Sequence, residues 1–213
     1  MDRLSVTISD WTGLLARVGI DRWPSTDSVG GRLLDAYGES DRHYHSVRHL
    51  TAVLAVVDDL ADLADEPDLV RLAAWYHDAI HRPDGPGDDE TRSAELARTD
   101  LAALSLDAAA VDEVARLVLL TASPDPEPGD RNGAVLCDAD LWILGSDESD
   151  YDRYTGEVRA EYGDVADDAW RSGRAAVLRC FLERPAIYRT EPGRQREAAA
   201  RANLERELSR LAR

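Results

Sequence analysis

Along nearly the whole chain, apolar residues return at three- and four-residue intervals, and no alternating apolar–polar stretch of useful length interrupts them. That period belongs to amphipathic helices, and it leaves no material for a sheet. The clearest case is 41–64, where Val47, Leu50, Val53, Leu54, Val57 and Leu60 fall on one stripe. A second is the segment opened by Pro67, which aligns Leu69, Leu72, Ala73, Tyr76 and Ile80 before the breaker-rich loop at 82–89. Pro at the first helical position and Gly or Pro at the stops place the boundaries. Ser9 or Asp10 caps a first helix stopped by Gly19, and Ser25 to Asp27 cap a second ending near Gly38. Further helices are expected over 90–104, from 107 onward, and over 147–162, 165–183 and 194–211. Between them, 123–133 reads as a loop and 134–145 as a buried helix ended by Gly145, because β-branched residues are few there. The fold class is therefore all-α, a compact bundle within one domain spanning 1–213.

Charge limits the partners. The 213 residues carry 42 acids and 25 bases, a net charge of −17, and every base is Arg. A surface of that sign repels phosphate backbones and anionic membranes, so neither nucleic acid nor membrane is expected as a partner. The lack of Lys excludes Schiff-base chemistry and a Walker-type phosphate site, leaving guanidinium groups as anion clamps. The two cysteines, Cys137 and Cys180, form no C-x-x-C pair and read as buried thiols in a reducing compartment. The first ten residues lack an apolar signal core and no apolar run approaches bilayer length. A cytoplasmic location is the expectation, as a monomer or homodimer.

Chemistry concentrates in a few polar residues placed on apolar helices. On a continuous helix over 41–64, His45 and His49 share a face, as do His77 and His81 on the next helix. The His77-Asp78 pair interrupts the apolar run LAAWYHDAI, and Asp138 and Asp140 sit in the equally apolar LCDADLWIL. Burying such groups is costly unless something pairs with them, and a divalent ion meets that need. Imidazole and carboxylate together suit Mn, Fe, Co, Ni or Zn, and carboxylate also suits Mg. His77, Asp78, His45 from the facing helix and one of the two later aspartates make a four-ligand set.

The segments HYHSVRHL at 43–50, AAWYHDAI at 73–80 and CDADLWILG at 137–145 resemble the H…HD…D signature of the HD superfamily of metal-dependent phosphohydrolases. A bacterial group of predicted HD phosphohydrolases is closer still. Its further segments match Asp89-Glu90 through Ser93-Ala94 and Phe181 through Tyr188, so the similarity covers nearly the whole chain. One position departs: His81 stands where that group carries Tyr, and its role, on substrate or toward solvent, is open at this point.

The resemblance implies an HD-domain-like bundle with its core at about 41–145 and flanking helices over 1–40 and 146–213. It implies His45, His77, Asp78 and Asp140 as metal ligands. Asp140 is preferred to Asp138 because it follows a small residue and precedes an apolar run, which leaves Asp138 to cap the helix, pair with an Arg or hydrogen-bond a ligand histidine. His49 is the candidate for support or for a second ion. The implied activity is hydrolysis of a small phosphoester, possibly a nucleotide, by metal-activated water, with Asp78 also orienting the nucleophile. Glu90 is either a helix cap or a carboxylate that supports the ligands or acts as general acid or base. Among Arg42, Arg48, Arg82 and Arg92, the first choices for binding the substrate phosphate are Arg48 and Arg92. The competing reading is a non-catalytic HD-fold module that binds a metal or nucleotide without turnover.

Overall fold

The computed structural model describes residues 5–21, 25–83, 85 and 87–212. Among them are eleven α-helices, two 3₁₀ turns and no strand, as the periodicity requires. In chain order the helices are α1 Ile8–Arg17, α2 Ser25–Tyr37, α3 Val47–Asp59, α4 Pro67–Tyr76, α5 Asp89–Ala103 and α6 Ala108–Leu120. They continue with α7 Arg131–Asp140, α8 Glu148–Glu161, α9 Asp167–Glu183, the short α10 Glu191–Arg194 and α11 Glu197–Leu211.

Several boundaries differ from expectation, each for a local reason. Thr7, not Ser9 or Asp10, is the N-cap of α1, and the Asp10 carboxylate accepts the Thr7 N–H at 2.8 Å. Gly19 does stop that helix, at φ +83°, in the left-handed region that a side chain disfavours. α3 begins at Val47 after an extended Ser46, so residues 41–46 form turns instead of helix. α4 ends at Tyr76, one residue before His77. The segment 134–145 is not one helix. α7 starts earlier, capped by Asp130 accepting the Gly133 N–H at 2.8 Å, and gives way to a 3₁₀ turn at Leu141–Gly145. Of the two cysteines Cys137 is buried, but Cys180 is exposed, because its position on α9 faces away from the packed side.

Two apolar cores organise the helices. The larger joins α1 through α7; Trp11 sits at its centre, edge-on to Trp75 and Tyr76 with ring centroids 5.2 and 5.9 Å away. Gly30 lets α2 close onto the Trp11 indole, since a Cβ there would overlap the ring. The smaller core gathers Leu144, Tyr151, Val158, Leu178, Tyr188 and Leu204 from the 3₁₀ turn, α8, α9, α11 and the segment before α10. Ala139 belongs to the first core and Leu144 to the second, so the C-terminal end of α7 crosses between them. Tyr44 also packs against the second core while Val47 packs against the first. The polar residues of interest lie at this junction. No helix among the described residues is long and apolar enough to cross a membrane.

Asp138 ties the two halves together. Its fully buried carboxylate accepts the Arg189 N–H at 2.8 Å, the Thr190 N–H at 2.7 Å and the Thr190 hydroxyl at 2.6 Å. Gly193 must lack a side chain for this carboxylate to fit. Replacing Asp138 by Ala leaves buried donors unmet, at a cost of about 1–3 kcal/mol. Thermal melts of Asp138→Ala should therefore show a midpoint several degrees below the parent protein; an unchanged midpoint would contradict the structural role.

Candidate metal centre

The ends of three helices bring the site together. His77 is the residue after α4, and its N–H still bonds to Ala73 at 2.9 Å, which fixes its backbone in helical geometry. Its Nδ1 lies 2.8 Å from the Ala74 carbonyl, an acceptor, so Nδ1 carries the proton and Nε2 is left with its lone pair facing inward. The Asp78 N–H donates to the hydroxyl of buried Tyr37 at 3.2 Å, turning the chain sharply out of the helix. His49, in the first turn of α3, places Nε2 3.1 Å from His77 Nε2. Asp78 Oδ2 lies 3.0 Å from His77 Nε2 and 3.4 Å from His49 Nε2. Asp140, the last residue of α7, brings Oδ1 to 3.3 Å from His49 Nε2 and 3.6 Å from His77 Nε2.

These spacings suit a shared ion. Ligand atoms each ~2.1 Å from one metal stand roughly 3.0–3.4 Å from one another. The donor set, two imidazoles and two carboxylates, is one that borderline divalent metals accept. The Ala74 carbonyl on His77 Nδ1 is the kind of outer partner that orients a ligating imidazole. His49, His77 and Asp78 can hold a metal ion, with Asp140 beside them.

The charges depend strongly on one another. Burial alone would raise the Asp78 carboxyl, but the imidazoles of His77, His45 and His49 hold it well below the usual range. Burial opposes ionisation of Asp140 in the same way, and its hydrogen bonds with His49 and His77 lower it. Burial would depress both histidines, yet His49 is raised by Asp140 and Asp78, and His77 is raised well above its usual value by Asp78, Tyr37 and Asp140.

His45 does not join this set, although it was expected as a ligand. The physical reason is the late start of α3: His45 precedes the Ser46 cap, so it is not one helical turn from His49 on a common face. Its Nδ1 lies 2.6 Å from Glu161 Oε2, and its ring is 4.1 Å from that of His81 between centroids. The expected His77–His81 pairing on one helix fails likewise, because α4 ends at Tyr76. Asp138 faces the 189–190 segment, away from the cluster, while Asp140 faces into it.

The arginines divide by role. Arg42 is buried and donates to the carbonyls of Asp78 at 2.6 Å and Ala79 at 3.1 Å, so it braces the HD turn and is not an anion clamp. Arg48 is ion-paired with Glu157 at the wall of a cavity of about 300 Å³ that also includes His49, Asp140, Trp142 and Arg196. Arg82 is paired with Asp88 and Asp89. Glu90 lines a cavity of about 250 Å³ together with His45, His77, Asp78 and His81. Arg92, one of the two first choices, stands outside the lining of both cavities.

Two residues were missed. Glu161, at the end of α8, has a fully buried side chain and lies 116 residues from His45 in sequence; nothing local marks it. Arg196 stacks on Trp142 at 4.5 Å, and its Nε is buried with no hydrogen-bond partner. A larger cavity, about 480 Å³ between α1 and α4, is lined by Asp10, Arg17, Asp58, Asp68 and Arg71 but by no histidine. Comparison with known proteins found no match to a described family, to a curated protein or to a solved structure.

Because protons and an ion compete for His49 and His77, metal affinity must fall with acidity. Asp140 and Asp78 raise His49, and Asp78, Tyr37 and Asp140 raise His77, so protons compete at a higher pH than they would for a free imidazole. Titration calorimetry with Mn²⁺ should show binding weakening from about pH 8 to about pH 6, by roughly tenfold per pH unit for each proton displaced. Affinity independent of pH over that range would exclude the histidines as ligands.

Proposed function

We propose that the chain is a metal-dependent phosphohydrolase of the HD superfamily type, acting on a small phosphorylated molecule. The observation that carries this reading is the convergence of His49, His77, Asp78 and Asp140 from three elements onto one small volume. The order His, His-Asp, Asp on which the resemblance rests is kept, with His49 in the place given to His45.

A divalent ion held by these four residues would polarise a phosphoryl oxygen and lower the pKa of a water molecule. The chain's own groups supply the remainder. Asp78 faces both the cluster and the cavity, so its carboxylate is positioned to orient a water there. Glu90, on the same cavity wall, is placed to exchange a proton with the departing oxygen. Phosphate charge needs a nearby cation. Arg196 is better suited than Arg48, since Arg48 is already neutralised by Glu157 while the Arg196 Nε has no partner. Trp142, Ile143 and Ala139 give the cavity of about 300 Å³ that holds Arg196, on the His49 and Asp140 side of the cluster, an apolar wall, which suits an organic group attached to the phosphate.

A panel of phosphorylated metabolites, tested with Mn, Mg, Co and Ni separately, should reveal release of inorganic phosphate from at least one. Asp140→Ala and His49→Ala should each reduce that release to background, and Arg196→Gln should raise KM more than it lowers kcat. Tight metal binding with no hydrolysis of any phosphoester would favour the binding module over the enzyme.

A further inference from the structure

We propose that His45, His81 and Glu161 form a second divalent-cation site, separate from the His49–His77–Asp78–Asp140 cluster and opening onto the same cavity. The inference goes beyond the phosphohydrolase reading and does not need it. It starts from Glu161, whose side chain is fully buried. One oxygen, Oε1, accepts the backbone N–H groups of Tyr44 at 2.7 Å and His45 at 2.8 Å, which fixes the carboxylate in place. The other, Oε2, faces two imidazoles: His45 Nδ1 at 2.6 Å and His81 Nε2 at 3.4 Å. The three donor atoms lie within 4.8 Å of one another, the spread of a group able to hold a metal ion.

A simple His–Glu hydrogen bond accounts for His45 but not for His81. The His81 Nε2 is buried and has no hydrogen-bond partner, although it points at the same oxygen. Its side chain is only 12% exposed, so solvent is a poor substitute. A buried polar atom left unmet in this way calls for a missing partner. The charge balance agrees. No arginine is ion-paired with Glu161 among the described residues, and the groups facing its Oε2 are the two imidazoles. A buried carboxylate so placed gains from a cation.

Access is present as well. His45 and His81 both line the cavity of about 250 Å³ shared with His77 and Asp78. Two imidazole nitrogens and one carboxylate oxygen favour Mn, Fe, Co, Ni or Zn over Mg or Ca. To bind, the His45 Nδ1–Glu161 contact opens by a few tenths of an ångström, and the Nδ1 proton moves to Nε2.

Native mass spectrometry and Mn²⁺ calorimetry on the full chain provide the test. The parent protein should bind two ions. His81→Phe, which keeps an aromatic ring in place, should bind one, as should Glu161→Gln. Asp140→Ala should lose the other ion instead, and the Asp140→Ala/His81→Phe double variant should bind none. One ion in the parent protein, lost in Asp140→Ala and kept in His81→Phe, would overturn the second site while leaving the first intact. Two ions retained in His81→Phe would overturn it too. No ion in any variant or in the parent would overturn both this site and the function proposed above. Should Glu161→Gln fail to fold, His81→Phe decides the question alone.

Discussion

Two carboxylates and two imidazoles, drawn together where the apolar cores meet, set the terms for the surrounding architecture. His77 is 1% exposed, and its Nε2 lies within 3.6 Å of groups contributed by α3, the HD turn and α7. Isolated charges at that depth are prohibitive. The cluster persists because each member offsets another's charge, and because the backbone around it is held by buried polar side chains. Arg42 is the clearest of these: buried, donating to the Asp78 and Ala79 carbonyls, and stacked over Tyr37 at 5.4 Å. Tyr37 in turn accepts the Asp78 N–H.

The second half of the chain does more than cover the first. Glu161 reaches from α8 to cap the turn at Tyr44 and His45, and Asp138 on α7 accepts three hydrogen bonds from Arg189 and Thr190. Tyr188 adds a bond from its hydroxyl to the Leu141 carbonyl at 2.9 Å, at the point where α7 becomes a 3₁₀ turn. These contacts hold Asp140 and the His45 turn against the HD turn. The two candidate cation sites therefore differ in origin: the first takes its ligands from the N-terminal helices and α7, whereas the second takes one from α8.

The helical class was legible because periodicity is a long-range average, and small errors at helix ends do not disturb it. Polar residues in apolar runs likewise pointed to His77, Asp78 and Asp140, since burial cost is a property of the segment itself. The ligand from α3 was harder. Choosing between His45 and His49 depends on whether residues 41–46 are helical, and the turn there is held by Glu161, a partner distant in sequence. Glu161 itself sits in an ordinary acidic helix, ESDYDRYTGEVRAE, with nothing nearby to mark it as buried. The exposed Cys180 illustrates the same limit on a smaller scale: which side of α9 faces inward is decided by α11 and the second core.

The central claim is that one ion belongs to His49, His77, Asp78 and Asp140. Crystals of the protein grown with Mn²⁺, examined by anomalous scattering at the manganese edge, test it most directly. A peak roughly 2.0–2.3 Å from Nε2 of both His49 and His77 and from an oxygen of each aspartate is expected. A strong peak on His45 with none on His49, or a peak coordinated by Asp138 in place of Asp140, would contradict it.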